Sequence, residues 1–296
     1  MSHIFEALQR AEAERSGGNS STVPDSVADL LEQALARGGD RADSVSALNK
    51  SAAAGVLDVE KLSAAQVLVP TTAGDSRLVC LNDQGSLAAE KFRVLGLRLR
   101  DLREKRQLKR IVVTSTIPEE GKSLSAANLA LNQARSRLLR TLLVDGDLRR
   151  PSLTSRFGLS HSLPGLTECL RGEKQLSEVL YKLNRTNLWF LPSGIPPENP
   201  LELMQSGRTA DLLDRLGNFF DWVIIDSPPV FPLADAAFWM KLSDGVLLVV
   251  REGVSERKPL KRVLEIIGRS LLLGLVVNSY TNGDHKNYYP RYGALS

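Results

Sequence analysis

Histidine and cysteine are scarce in this chain of 296 residues, which carries three His and two Cys. Cys80 and Cys169 lie far apart with no CxxC spacing, which argues against a disulfide framework, and two reduced thiols fit a cytoplasmic protein. His3, His161 and His285 are scattered along the chain, which argues against a histidine-built metal centre. Aromatic residues make up 5% of the chain and do not interleave with basic ones. Together with a net charge of only +4, this argues against nucleic acid as a partner. No apolar run approaches the roughly 18 residues that cross a bilayer, and LLLGLVV at 271–277 is strand-sized. The basic, apolar, small-residue order of a secretion signal is missing from the N-terminus. These absences predict a protein that meets a membrane only through another protein.

What is present divides into an arm, a core and a tail. Within 1–75, residues 1–16 place Ile4, Phe5 and Leu8 on one side of an amphipathic helix. That helix suits either weak docking on its own core or the grip of a partner or membrane surface. A second helical island runs from about Asp25 to Ala36, inside a stretch rich in Ser, Ala, Gly and Asp that reads as linker. From 76 to 281, short apolar strands alternate with amphipathic helices. Strands are expected at 110–115, 141–145, 188–191, 222–227, 245–250 and 272–279, and helices at 86–106, 121–137, 208–217, 234–242 and 257–268. This alternation predicts an α/β fold with a mostly parallel sheet covered by helices on both faces. Residues 282–296 form a tyrosine-rich tail.

In such sheets ligands sit at the carboxyl ends of the strands. The strand RIVVTS (110–115) runs into TIPEEGKS and then the helical pattern LSAANLALNQA. Backbone N–H groups of the loop residues Pro118 to Leu124 (Glu119, Glu120, Gly121, Lys122 and Ser123 between them, the proline itself lacking a donor) would cradle phosphate at a helix N-terminus. Lys122 adds a mobile cation and the Ser123 hydroxyl a ligand for Mg²⁺. The strict GxxxxGK[ST] pattern fails at its first position, Thr116, and two acidic residues stand in the loop. TLLVDGDLRRP (141–151) ends a second strand on Asp145 and Asp147, and WVIIDSPP (222–229) ends a third on Asp226. Asp147 and Asp226 suit the water shell of Mg²⁺, and Asp145 suits a proton acceptor for a hydroxyl nucleophile. Each aspartate alone is equally suited to capping a turn. Three beside one phosphate loop point to ATP and Mg²⁺.

These three segments, with GLTECLRGEKQLSEVLYKLNRTNLWFLPSGIPPENPLELMQS (165–206), resemble the bacterial tyrosine autokinases (BY-kinases) of capsule and exopolysaccharide export. The similarity covers roughly 76–296. It implies a P-loop NTPase fold shared with ParA- and MinD-type ATPases, with Lys122 and Ser123 as phosphate and Mg²⁺ residues and Asp145 as the base. It further implies that Asp147 and Asp226 organise the metal, that Arg149 is the Walker A′ arginine, and that Asn278 stands where relatives contact adenine. ParA and MinD relatives carry an early lysine in the loop where this chain has Ile117, which favours the kinase branch over an ATPase switch. The resemblance implies a homo-oligomer built through an ExxRxxR helix, matched by Glu90 and Arg93. Gly96 occupies the third position, and Arg100 shares that face one turn further along. Also implied are a separate membrane-embedded chain-length regulator as activator, a cognate tyrosine phosphatase, and recruitment to the inner face of the membrane.

Only five tyrosines occur, and four of them, Tyr280, Tyr288, Tyr289 and Tyr292, fall in the last 17 residues. As in the tyrosine-rich tails of the family, Tyr288, Tyr289 and Tyr292 are expected phospho-acceptors. Ten extended residues span about 33–36 Å, enough to carry Tyr288 from the end of the last strand into a site. The expected activity is ATP-dependent tyrosine autophosphorylation, with a ParA/MinD-type switch as the alternative. The irregular loop also leaves room for a non-catalytic regulatory subunit.

Overall fold

The computed structural model describes residues 65–72, 76–231 and 234–279. The helices expected at 1–16 and 25–36 and the tyrosine tail lie outside them.

Eight strands form one sheet: β1 (Val67–Leu68), β2 (Arg110–Ser115), β3 (Thr141–Asp145), β4 (Tyr181–Leu183), β5 (Leu188–Leu191), β6 (Trp222–Asp226), β7 (Gly245–Arg251) and β8 (Leu272–Asn278). Their order is β1-β4-β5-β3-β6-β2-β7-β8, and every pair is parallel except β4 with β5. The longer helices are α1 (Leu87–Lys105), α2 (Lys122–Gln133), α3 (Arg208–Phe219), α4 (Asp235–Lys241) and α5 (Arg257–Leu271).

The central strands are apolar without interruption because both faces of the sheet are covered. Side chains alternate across it. Val112, Val144, Ile225 and Leu248 pack with Leu212 of α3, Trp239 of α4 and Val263 of α5. Ile111, Val113, Leu143, Ile224 and Leu247 point the other way, onto Leu99 of α1 and Ala126 and Leu129 of α2. Ser86 caps α1, its hydroxyl accepting from the Ala89 amide at 3.2 Å. The alanines of α2 let that helix lie close on the sheet, where nearly all its residues are buried.

Two elements add to the expected pattern. Val67 and Leu68, within the stretch expected as linker, pair with Lys182 and Leu183 as an edge strand. Two residues carry too little periodicity to announce a strand; its partner β4 supplies the register. β4 itself was also absent from the sequence reading. It forms a hairpin with β5 through the antiparallel pairs Tyr181–Phe190 and Lys182–Trp189. Among the described residues, no helix is long and apolar enough to cross a membrane.

Candidate nucleotide and phosphoryl-transfer site

β2 delivers the chain to the sheet edge, and α2 begins seven residues after Ser115. The turn between them needs left-handed backbone at two places. Gly121, with φ 95°, meets this freely. Glu119, with φ 66°, adopts the same region with its side chain exposed to solvent. A Cβ on Gly121 would run into the Asn278 amide, so the glycine also allows β8 to touch the loop.

Lys122 opens α2 and turns into the sheet edge. Its Nζ donates to Asp147 Oδ2 at 2.9 Å and to the Ser123 hydroxyl at 3.2 Å, and lies 3.6 Å from Asp226 Oδ1. β3 and β6 run in register, which sets Asp145 directly beside Asp226. Gly146 then crosses over β6, its N–H donating to the Asp226 carbonyl at 2.8 Å. Its own carbonyl accepts from Trp239 Nε1 at 3.0 Å. The chain emerges with Asp147 facing Lys122, and Asp147 Oδ1 accepts from the Arg150 amide at 3.1 Å.

Three carboxylates thus surround one ammonium in a site almost closed to solvent. Burial pushes the Asp145 carboxyl well above the usual range, and Asp226 pushes it further; the Leu153 amide, which donates to it at 3.1 Å, pulls the other way. Burial likewise raises Asp226, against the field of Lys122. For Lys122 burial opposes the charge, but the fields of Asp226 and Asp147 outweigh it and its pKa is raised. Asp145 Oδ1 has no hydrogen-bond partner, and the side-chain oxygens of Asp226 have none of good geometry, only the Ser123 hydroxyl and the Lys122 ammonium standing near enough to favour its charge. Orphaned buried acceptors beside a phosphate loop have the chemistry to take a hydrated divalent cation or a hydroxyl proton.

The two loop glutamates do not oppose phosphate as their charge alone would lead one to expect. Glu119 points to solvent, while buried Glu120 folds back on its own loop. One oxygen, Oε2, accepts from the amides of Thr116 at 2.7 Å and Ile117 at 3.0 Å. Asn278 reaches the same loop, Nδ2 donating to the Glu120 carbonyl at 2.9 Å. Arg149 is held by Asp235 through Nε at 2.5 Å and Nη2 at 3.1 Å. Asp235, Trp239 and Ser255, whose hydroxyl donates to Glu120 Oε1, were missed in the sequence. They stand 86, 93 and 135 residues from their partners, and no spacing rule reaches that far.

On α1, Glu90 pairs with Arg93, which also donates to the Gln84 carbonyl at 2.6 Å. Gly96 has a packing cause: a side chain there would strike Asn132 of α2. Arg100, on the same face one turn further along, donates through Nε to Gln133 of α2 at 3.2 Å.

A phosphate loop at the head of a buried helix, with acid-ended strands in register beside it, makes this a P-loop nucleotide-binding protein. No protein-family model matches the chain. It is 32% identical over 213 residues to the tyrosine-protein kinase YwqD of Bacillus subtilis, an alignment spanning 71% of this chain and 89% of that one. The chain belongs to the bacterial tyrosine-kinase family. Among solved structures it is similar to the chimerical protein CapA2B2, at 32% identity and a TM-score of 0.66 over 76% of this chain and 99% of that one. The fold is shared more distantly with the cell division ATPase MinD of Pyrococcus furiosus, at 25% identity and a TM-score of 0.51 over 60% and 74%. The expected fold and family are borne out.

Proposed function

We propose that the chain is an ATP-dependent protein-tyrosine autokinase that phosphorylates Tyr288, Tyr289 and Tyr292 and acts in capsule or exopolysaccharide polymerisation and export. The observation that carries this reading is the Lys122 ammonium held between Asp147 and Asp226, with the Oδ1 atom of Asp145 unpartnered alongside. In this reading the amides from Glu119 to Leu124 bind the β- and γ-phosphates, and Lys122 exchanges its carboxylates for phosphate oxygens. Asp147, Asp226 and Ser123 would hold Mg²⁺, which when bound would supply neutralisation of the charge that builds on the transferred group. Asp145 takes the phenol proton as the tyrosine oxygen attacks; its raised pKa brings it nearer the hydroxyl it serves. Asn278 and Arg149 belong to the same site, the first beside the base, the second beside the phosphates.

The kinase domain is taken as 76–281, with β1 docked on it, and 282–296 as its acceptor tail. Exposed Val94 and Leu97 on α1, near Glu90 and Arg93, support a homo-oligomer. A separate membrane-embedded regulator would hold it at the inner membrane face, and a tyrosine phosphatase would reset it.

Incubating purified protein with Mg·ATP and mapping modified residues by mass spectrometry tests the reading. Phosphotyrosine at 288, 289 or 292 is expected, lost in Lys122→Met and after chelation with EDTA. Phosphate release with no phosphotyrosine would instead mark an ATPase switch.

A further inference from the structure

Glu120 is a buried carboxylate with no role in the transfer just described. Its 0% exposure is unusual for a glutamate, a residue type almost never fully buried unless paired, and among the described residues no cation pairs with it. Its partners are neutral donors: the Thr116 and Ile117 amides on Oε2 and the Ser255 hydroxyl on Oε1. Ser255 sits in the turn between β7 and α5, where its Oγ also accepts from the Arg251 amide at 2.8 Å. The main chain of the same glutamate is gripped separately, its carbonyl accepting from Asn278 at the end of β8. One residue of the phosphate loop is therefore anchored at both ends to the neighbouring strand termini.

We infer that Glu120 is a positioning residue, an internal anion that holds the phosphate loop in its binding shape before any nucleotide arrives. The geometry divides the amides between two anions. Thr116 and Ile117, on the rising limb of the loop, are satisfied by Glu120. Pro118 has no amide to offer, and those from 119 onward are left for phosphate. The loop lacks the first glycine of the strict pattern, and Thr116 stands in its place. Glu120 supplies by hydrogen bonding a curvature that Thr116 does not give by backbone freedom. A carboxylate serves because one oxygen can accept two amides while the other takes a hydroxyl. Preorganisation of this kind lowers the ordering cost of binding, so its loss weakens nucleotide affinity.

The test is hydrogen exchange of the 114–121 segment in the full-length, nucleotide-free protein, with Mg·ADP affinity measured in parallel. In Glu120→Ala the Thr116 and Ile117 amides are expected to exchange about tenfold faster or more, and Mg·ADP to bind about tenfold more weakly. Glu120→Gln keeps an oxygen for both amides and an NH₂ for the Ser255 oxygen, and is expected to restore most of the protection, as a charge effect alone would not. Should Glu120→Ala fail to fold, Ser255→Ala, which removes only the outer anchor, is expected to speed exchange about threefold. Parental exchange rates in the alanine variants, or Glu120→Gln exchanging as fast as Glu120→Ala, overturn the inference. The affinity arm rests on the proposed kinase function and the exchange arm does not. A parent protein that takes up no Mg·ADP therefore sinks that function while exchange still decides the role of Glu120.

Discussion

Asp145 and Asp226 are register partners at the ends of β3 and β6, and neither side chain is exposed to solvent. Two like charges brought together without water cannot both ionise at no cost, and Lys122 compensates only part of it. Protonation of one of the pair, or a cation beside it, relieves this repulsion.

The first prediction concerns pH. Both carboxyls are raised in the folded protein. Below the ordinary carboxylate range, folded and unfolded chains both hold the protons. Above it the unfolded chain releases them first, so stability falls as pH rises toward the folded values. Asp145→Asn removes one such group. Without nucleotide, this variant is expected to melt about 3 °C or more above the parent at pH 8, with the gap closing toward pH 5. Its phosphotransfer is expected to fall at least about 100-fold. Parallel melting curves across that pH range would remove the claim that Asp145 is a buried acid under strain.

A second prediction concerns Gly146, between the two aspartates of the β3 end. A Cβ there would lie 2.9 Å from the Asp226 carbonyl, 2.9 Å from Trp239 Cε2 and 3.0 Å from Ile225 Cγ2. All three neighbours are fixed parts of the core, so Gly146→Ala overpacks a site with nowhere to relax. A loss of about 1–3 kcal/mol in denaturant unfolding is expected. Displacement of Asp147 from Lys122 should also cost at least about tenfold in transfer rate. Trp239→Phe removes the hydrogen bond to the Gly146 carbonyl and also part of a fully buried ring, so it should lower stability through both the lost bond and the cavity left behind. An alanine variant as stable and active as the parent would show that this crossing tolerates movement.

The sequence made the acidic strand ends legible because β3 and β6 are short, fully apolar and stopped by turn residues, so their last positions were fixed. α2 was legible for the same reason, its loop and its alanines being local signals. What could not be read was which side chain answers which across the sheet. Glu120 looked like a charge set against phosphate, yet it serves its own loop; Gly96 looked like a lost arginine, yet it admits Asn132. Both outcomes depend on packing between segments that sequence spacing does not join. The edge strand β1 was missed on the same ground, since its identity comes from β4 rather than from its own two residues.

The third prediction turns on an asymmetry in the Arg149–Asp235 pair. The arginine side chain keeps 38% of its exposure, whereas Asp235 keeps 2%. Removing Asp235 leaves a cation that water can solvate; removing Arg149 leaves a buried carboxylate with its bidentate partner gone. Arg149→Met should therefore destabilise the protein more than Asp235→Asn. Breaking a fully buried pair costs about 3–5 kcal/mol, and partial solvation of the arginine reduces this to about 2 kcal/mol, or roughly 5 °C in melting temperature. Asp235→Asn should cost less than about 1 kcal/mol. Combining the two should recover most of the loss, because the stranded charge is gone. Function separates from stability in the same set. If Arg149 reaches the phosphates when nucleotide binds, Asp235 holds it back in the empty protein. Asp235→Asn should then bind Mg·ATP at least as tightly as the parent, while Arg149→Met binds more weakly. Equal affinity in the two single variants would confine Arg149 to the fold and leave the phosphates to Lys122 and the loop.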